Sequence, residues 1–437
     1  ADEPTYAYVM QDDAHFPLFT VQETLEFAAM LRQRTTSRDD VRDMVEETLL
    51  VLGLSHIADH YVGVIGDSMI SRGQLRRLTV GVEIVNSPSL VFLDEPTTGM
   101  VARETKYNTE ACLYTLEQIA AMAKKRFYGT VDILRDASPV LESDSSSRST
   151  LLMAYDSAME NISADLEDIR KSRVTIRVLL VREFLKELRR YRFWVIQIIR
   201  AVALGCLLGY AWGDLTPDGS ILNYTGLTLV IYITVNLWMV EIVPILQEDK
   251  VVFYRERDAN ATSTFASWLV MNLPTSCALA FVILALLLTV YEISDLRHGT
   301  KYFLQFYFVL YIQLIANLHL GVFVSTFTPN TMVNVLIFPS LTLTIQAMLC
   351  GYAAMITTFK PWYRWITYII PAKYYMGILF ISQLKGDENI SADFDSILSD
   401  YGWDYPMRDQ FVYLLLILVV HKFLAYLGMR IELQYFE

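Results

Sequence analysis

Ser89–Gly99 reads SLVFLDEPTTG. The apolar run Leu90, Val91, Phe92 and Leu93, entered from Ser89, predicts a strand buried on both faces of a parallel sheet, since half-solvated strands alternate and this one does not. Pro96 stops it, and two adjacent carboxylates, Asp94 and Glu95, stand just before the stop. Parallel sheets bind ligands beyond the carboxyl ends of their strands. A carboxylate pair delivered there offers hard oxygen ligands to a cation and a base to a water molecule.

Upstream of this strand a helix-like run follows Ile70–Gln74, ISRGQ. Further back, Tyr6–Met10 reads as a short strand leading into Gln11, Asp12 and Asp13. Thr20 then caps a helix, with Glu23 three residues on completing a capping box. Asp39–Leu52 places Val41, Met44, Val45, Leu49 and Leu52 on one helical face, and Gly53 ends it. Downstream, Gln118–Arg126 suits a helix and Tyr128–Leu134 a strand. LESDSSSRST (141–150) is a polar linker, and Asp156–Lys171 an acidic helix candidate.

Composition divides the chain. The 437 residues are 53% hydrophobic with net charge −12. Residues 1–172 hold 28 acidic and 16 basic side chains, so the whole net charge resides there, whereas residues 173–437 hold 20 of each. An acidic front half excludes the basic surface that nucleic-acid binding needs. The opening at Ala1 has no leader pattern, which suggests a chain that begins inside a longer protein. Cys112, Cys206, Cys277 and Cys350 are scattered, so neither a disulfide framework nor a zinc site is expected.

The basic segment 176–192, IRVLLVREFLKELRRYR, is expected to lie along a membrane interface with its cations toward anionic headgroups. Six apolar runs of near-spanning length follow: Phe193–Trp212, Tyr224–Leu246, Trp268–Val290, Phe303–Phe327, Val333–Tyr352 and Phe411–Leu427. Arg182, Lys186, Arg189, Arg190 and Arg192 precede the first, and the Gly213–Asn223 loop holds no basic residue. The positive-inside rule then puts both termini and the Gln247–Ser263 loop in the cytosol. Trp362, Tyr363, Trp365, Tyr368, Tyr374 and Tyr375 suit an outer interface, and Asn389 opens a glycosylation sequon on that side. Glu241 and Arg200 fall near the cytosolic ends of their spans, while Asn236, Gln313, Asn317 and His319 put polar groups inside theirs.

Several of these stretches resemble one known family. YVMQDDAHFPLFTVQETLEFAAMLR (8–32) is similar to the Q-loop and helical subdomain of the G subfamily of ABC transporters, the white and pleiotropic-drug-resistance type, whose ATPase precedes the membrane domain. ISRGQLRRLTVGVEIVNSPSLVFLDEPTTG (70–99) resembles its signature helix and Walker B strand. VFYRERDAN (252–260) and FLAYLGMRIE (423–432) extend the likeness.

The resemblance implies an α/β P-loop NTPase-type domain, lacking Walker A, followed by an all-α six-helix transmembrane domain. The expected layout is a partial nucleotide-binding domain over 1–135, a linker over 136–172, an amphipathic interfacial helix over 173–192 and the membrane domain over 193–437, with an external segment at 353–410. Asp94 would hold Mg2+ through water, Glu95 would polarise the attacking water, and Gln11 would sense the cation and the γ-phosphate of ATP. Ser71, Gly73 and Gln74 would touch nucleotide held mainly by a partner subunit. Arg255, Glu256 and Arg257 would form the coupling contact, and Asn236, Trp238 and Met348 would line the substrate path.

The chain departs from the family in four places, one being Met100-Val101 where the family has Leu-Asp after TTG. No GxxxxGK[ST] loop occurs in the 437 residues, Arg72 replaces a signature glycine, and Arg135 occupies the switch-histidine position. The reading is therefore an ATP-driven exporter subunit for hydrophobic or lipid-like molecules in a plasma or organelle membrane. It would pair with a second half-transporter or form half of a full-size one. The alternative is a degenerate or truncated subunit serving as a non-hydrolysing partner or membrane scaffold.

Overall fold

The computed structural model describes residues 6–10, 13–33, 38–63, 70–88, 90–93, 173–213, 221–294, 296–326, 344–352, 355–385 and 394–435. Asp94, Glu95 and Gln11, the segment 94–172, most of the fifth expected span and the Asn389 sequon lie outside them. The chain forms two units, Ala1–Arg189 with Asp249–Met271, and Arg190–Glu248 with Asn272–Glu437.

In the first unit β1 (Tyr6–Val9) and β2 (Leu90–Leu93) pair in parallel, Tyr6 beside Leu90 and Val9 beside Leu93. Between them run α1 (Val21–Gln33), α2 (Arg38–Val51) and α3 (Arg72–Ile84). The capping box at Thr20 forms as expected: the Thr20 N–H donates to Glu23 at 3.0 Å and the Glu23 N–H to Thr20 Oγ1 at 3.2 Å. Gly53, at φ +63°, turns the chain after α2 in the left-handed conformation that glycine adopts freely. Val21, Leu25, Val45, Leu49 and Leu78 share one buried core with β1. Burial of β2 on both faces does not hold, since Leu90 and Phe92 are 39% and 46% exposed. Val91 is half-buried against the helical core, so the alternation of a one-sided strand governs here.

This unit also contains α4 (Arg173–Arg189), the end of α6 (Ile221–Asp258) and α7 (Thr264–Met271). The expected loop from Gln247 is helical as far as Asp258, because QEDKVVFYRERD contains no glycine or proline to stop it. At 38 residues α6 is about 57 Å long, well beyond a hydrocarbon core of about 30 Å. It ends where Asn260 takes φ +52°, a left-handed stop that asparagine tolerates.

The second unit begins with α5 (Tyr191–Ala211) and contains α8 (Leu273–Ile293), α9 (Thr300–Val324), α10 (Pro371–Leu384), α11 (Phe394–Tyr401) and α12 (Met407–Tyr435). Among the described residues five helical stretches are long and apolar enough to cross a membrane: Tyr191–Ala211, Asn223–Asp258, Thr264–Ile293, Thr300–Val324 and Met407–Arg430. They correspond to expected spans one to four and six. The described end of the fifth is a single turn, Gln346–Leu349. Of the external aromatics, Trp362, Trp365 and Tyr368 are exposed, but Tyr374 and Tyr375 are buried. They lie on α10, which packs between α9 and α12; Tyr375 donates its hydroxyl to the Thr228 carbonyl at 3.1 Å.

Helices α5 and α8 meet at GCLLG, where Gly205 and Gly209 stand one turn apart. A Cβ at Gly205 would collide with Thr289, and one at Gly209 would come within 2.6 Å of Ile293. Such spacing of small residues lets helix backbones approach without the hydrophobic drive available in water. Gly205→Leu should therefore destabilise the α5–α8 contact by about 1–3 kcal/mol or more, read as a lower thermal midpoint of the chain in detergent. An unchanged midpoint would contradict the contact.

Candidate functional site

The family-implied nucleotide site and coupling contact differ in how much of each the structure describes. Gln11, Asp94 and Glu95 lie outside the described residues. The two strands that lead to them share a carboxyl edge, since Val9 and Leu93 are register partners. The signature residues are described. Ser71 is the N-cap of α3, its hydroxyl accepting from the Gln74 N–H at 3.3 Å while Gln74 Oε1 accepts from the Ser71 N–H at 2.7 Å. This capping box satisfies two of the amide donors at the helix start. A Cβ at Gly73 would meet nothing within 4 Å, so its backbone stands open, whereas Ser71 and Arg72 are exposed.

From this end α3 reaches inward through cations. Arg76 Nη1 donates to the Met10 carbonyl at 2.6 Å and approaches Asp13 at 3.3 Å, holding the segment that follows β1. Thr79 donates to Asp13 Oδ1 at 2.6 Å and lies 2.9 Å from His15 Nε2. The other imidazole nitrogen, Nδ1, lies 3.2 Å from Arg255 Nη1, and the same guanidinium donates to the Ala14 carbonyl. Arg255, which the resemblance would make a coupling residue, is thus joined directly to Ala14 and His15. Burial, and then the Arg255 charge, hold the His15 imidazole well below its usual pKa, so it is neutral at pH 7.

Helix α4 completes the junction. Arg182 pairs with both Glu256 and Glu183, and Lys186 with both Glu183 and Asp249, the latter at 2.9 Å. Burial opposes all of these charges, but mutual pairing prevails: the Glu183 carboxyl is held below its ordinary range, and the Lys186 amine and Arg182 guanidinium above theirs. Arg189 grips Glu23 through both carboxylate oxygens, one at 2.6 Å, and donates to the Leu18 carbonyl at 2.8 Å. Although its partial burial works against ionisation, Glu23 is held below its usual range by Arg189 and the Thr20 N–H. Phe16 lies under Arg182 and Lys186, with charge-to-ring distances of 4.9 and 5.1 Å.

The expectation that the α4 cations face headgroups is corrected here for Arg182, Lys186 and Arg189. They point into the unit, while Val181, Phe184 and Leu188 are exposed at 57%, 39% and 70%. The acids supplied by α1, α4 and the end of α6 are the reason. Glu256 serves Arg182, and Arg257 pairs with Asp258 at 2.9 Å. Sequence reasoning missed His15, Asp249 and the pairing of the capping residue Glu23 with Arg189. The available signal was the 182, 186, 189 spacing, one face of a helix, opposite an apolar stripe.

In the second unit Asn236 is buried. Its Oδ1 accepts from Asn317 at 2.6 Å, and Asn317 Oδ1 accepts from Gln346 at 3.1 Å. Trp238 is also buried, under the Arg200 guanidinium at 5.5 Å, and Met348 is 60% exposed. Glu241 pairs with Arg200 and accepts from Gln197 at 2.7 Å.

Residues 2–98 match the family described as ABC transporter, and residues 174–384 the family described as ABC-2 type transporter. ABC transporter G family member STR2 of Petunia hybrida is 50% identical over 96 residues, 22% of this chain and 13% of that protein. ABC multidrug transporter atrG of Aspergillus oryzae is 37% identical over 161 residues, 34% of this chain and 11% of that protein. ABC transporter G family member 18 of Arabidopsis thaliana is 44% identical over 95 residues, 22% and 13% of the two. The chain thus covers little more than a tenth of each relative's length. With its helices of spanning length, it is an integral membrane protein.

Removing the lysine from the buried α4 cluster would take one cation from both Glu183 and Asp249. Lys186→Met should cost about 3–5 kcal/mol, the range for breaking one side of a buried pair. Adding Asp249→Leu should recover part of that loss. Chemical unfolding of the chain in detergent measures both, with the exposed Arg42–Glu46 pair as control. A Lys186→Met loss no larger than that of Arg42→Met would contradict the burial argument.

Proposed function

We propose that this chain, which belongs to the G subfamily of ABC transporters, supplies one membrane half and the ATPase-type segment before it to an ATP-driven exporter of hydrophobic or lipid-like molecules. A second half-transporter, identical or related, or the other half of a full-size protein, completes it. The membrane is the plasma membrane, with both chain termini cytosolic and the 353–410 segment outside. One observation carries the reading. Arg255 is bonded to Ala14 and His15, and Glu256 to Arg182, which ties the ATPase-type segment to the end of a spanning helix and to the helix preceding the first span.

In this reading Asp94 holds Mg2+ through water, Glu95 polarises the water that attacks ATP, and Gln11 senses cation and phosphate. Magnesium would neutralise charge developing on the transferred phosphoryl group. Ser71, Gly73 and Gln74 face nucleotide bound chiefly by the partner; the open backbone at Gly73 and the exposed start of α3 suit that approach. Arg255, Glu256 and Arg257 carry motion to the membrane half, where Asn236, Trp238 and Met348 adjoin the path of the cargo. One relative is named a multidrug transporter, which favours a hydrophobic cargo here.

The test co-expresses the chain with a G-subfamily half-transporter bearing a GxxxxGK[ST] loop. It follows ATP-dependent uptake of a fluorescent lipid analogue into inside-out vesicles. Uptake should require the chain and fall roughly a hundredfold with Glu95→Gln, as loss of a catalytic base does. Uptake unaffected by omitting the chain, or by Glu95→Gln, would overturn ATP-driven export by this subunit.

A further inference from the structure

The hydrogen bonds around His15 can run in one direction only. A guanidinium donates and never accepts, so His15 Nδ1 must accept from Arg255 at 3.2 Å. Its proton then sits on Nε2 and is donated to Thr79 Oγ1 at 2.9 Å. Thr79, having accepted, gives its own proton to Asp13 Oδ1 at 2.6 Å, a closer and charged acceptor than the Leu75 carbonyl at 3.2 Å. The carboxylate ends the chain, and Arg76 faces it from one turn back on α3 at 3.3 Å. Four side chains from three segments share one ordered string, and each bond fixes the next.

We infer that His15, held as the Nε2–H tautomer, is a positioning residue that clasps the signature helix α3 to the Arg255 end of α6. The inference deepens the coupling role proposed above and rests on that reading for its purpose; the clasp itself rests on the bonds alone. A group that both accepts and donates is required at this position. Phenylalanine fills the space without either bond, whereas the glutamine amide can do both.

The clasp is also sensitive to acid. A second proton on His15 would set N–H against N–H at Arg255, and like charge against like charge. The charged groups that bear on it are Arg255 at its side, Asp13 and Arg76 at the far end of the string, and, around Arg255, Glu83 on α3, Arg32 on α1, Arg182 on α4 and Glu256 on α6. Arg32 is engaged with Glu83, and Arg182 with Glu256, leaving Asp13 as the acid nearest in the string. Because burial depresses the folded value, the stability from neutral His15 is complete above its ordinary pKa of about 6.5 and is lost as pH falls from there.

Hydrogen–deuterium exchange of the full chain in detergent, without nucleotide, tests the clasp at the peptide spanning 255–262. His15→Phe and Thr79→Val should each speed exchange there about fivefold, the factor expected for one buried hydrogen bond, although Thr79 lies on another helix. His15→Gln should stay at the native rate. Thermal midpoints between pH 7.5 and 5 should fall more steeply for the native chain than for His15→Gln. Should His15→Phe fail to fold, Thr79→Val still reads the same string. Native exchange in Thr79→Val, no rescue by glutamine, or parallel pH profiles would each overturn the clasp. Loss of vesicle uptake alone would not, so failure of the transport reading remains separate.

Discussion

The buried ammonium of Lys186 sets the geometry of the ATPase-type unit. Taking a lysine out of water is tolerable only when its charge is met, and here Glu183 and Asp249 meet it from two helices. That requirement fixes the rotation of α4 about its axis. With Lys186 inward, Arg182 and Arg189 follow on the same face, and each finds its own acid, Glu256 on α6 and Glu23 on α1. The pairs are spread over three segments far apart in sequence, so they specify register more than they add net stability. Phe16, beneath two of the cations, excludes water from the cluster and strengthens each attraction.

The membrane-type unit follows the same rule under stricter conditions. Where no water is at hand, every polar group inside the helix bundle needs an internal partner. Asn236, Asn317, Gln346 and Tyr232 supply one another, Tyr232 closing the set by donating to Gln346 at 2.8 Å. Arg200, Gln197 and Glu241 bond to one another in a second, more exposed group. Between these polar ties, packing depends on shape, as at Gly205 and Gly209, while Ile196, Ile199, Leu207 and Tyr210 are left exposed. Apolar exposure that would be a liability in water is what a lipid-facing helix requires.

The legibility of the sequence followed the range of the physics involved. The capping box at Thr20, the two paired strands and the lengths of the apolar runs are local, and local rules located them. The alternation that bares Leu90 and Phe92 could not be read from an all-apolar strand, because only neighbouring elements decide which face is covered. Residues Gln247–Asp258 look like a loop when charge is taken as the boundary of a span, yet nothing in them breaks a helix. The direction of α4 posed the hardest problem. A helix with one charged and one apolar stripe fits a membrane surface or an ionic core equally well, and the acids that decide it lie at Glu23, Asp249 and Glu256. The family resemblance assigned expected roles to Ser71, Gly73, Gln74 and Arg255–Arg257 but carried no information about His15, whose contacts exist only through its two neighbours in space.

The described unit is therefore strongest where it would transmit and most open where it would touch nucleotide. A two-stranded parallel sheet has little stability of its own, and Tyr8, Leu90 and Phe92 leave one of its faces exposed. What holds the unit is the helical core behind β1 and the charged junction of α1, α4 and α6. Ser71 and Arg72 lie at the surface, their helix start satisfied by its own capping box, whereas Arg76, Arg182, Lys186 and Arg255 are buried. A displacement at the start of α3 would reach Asp13 and His15 through Arg76 and Thr79, and Arg255 through His15. Every link in that series is a polar contact to a buried cation or a buried hydroxyl, and such groups break contact only at high cost. The exposed helix start and the buried junction behind it are thus held by different means, a local capping box at one and long-range charge pairs at the other.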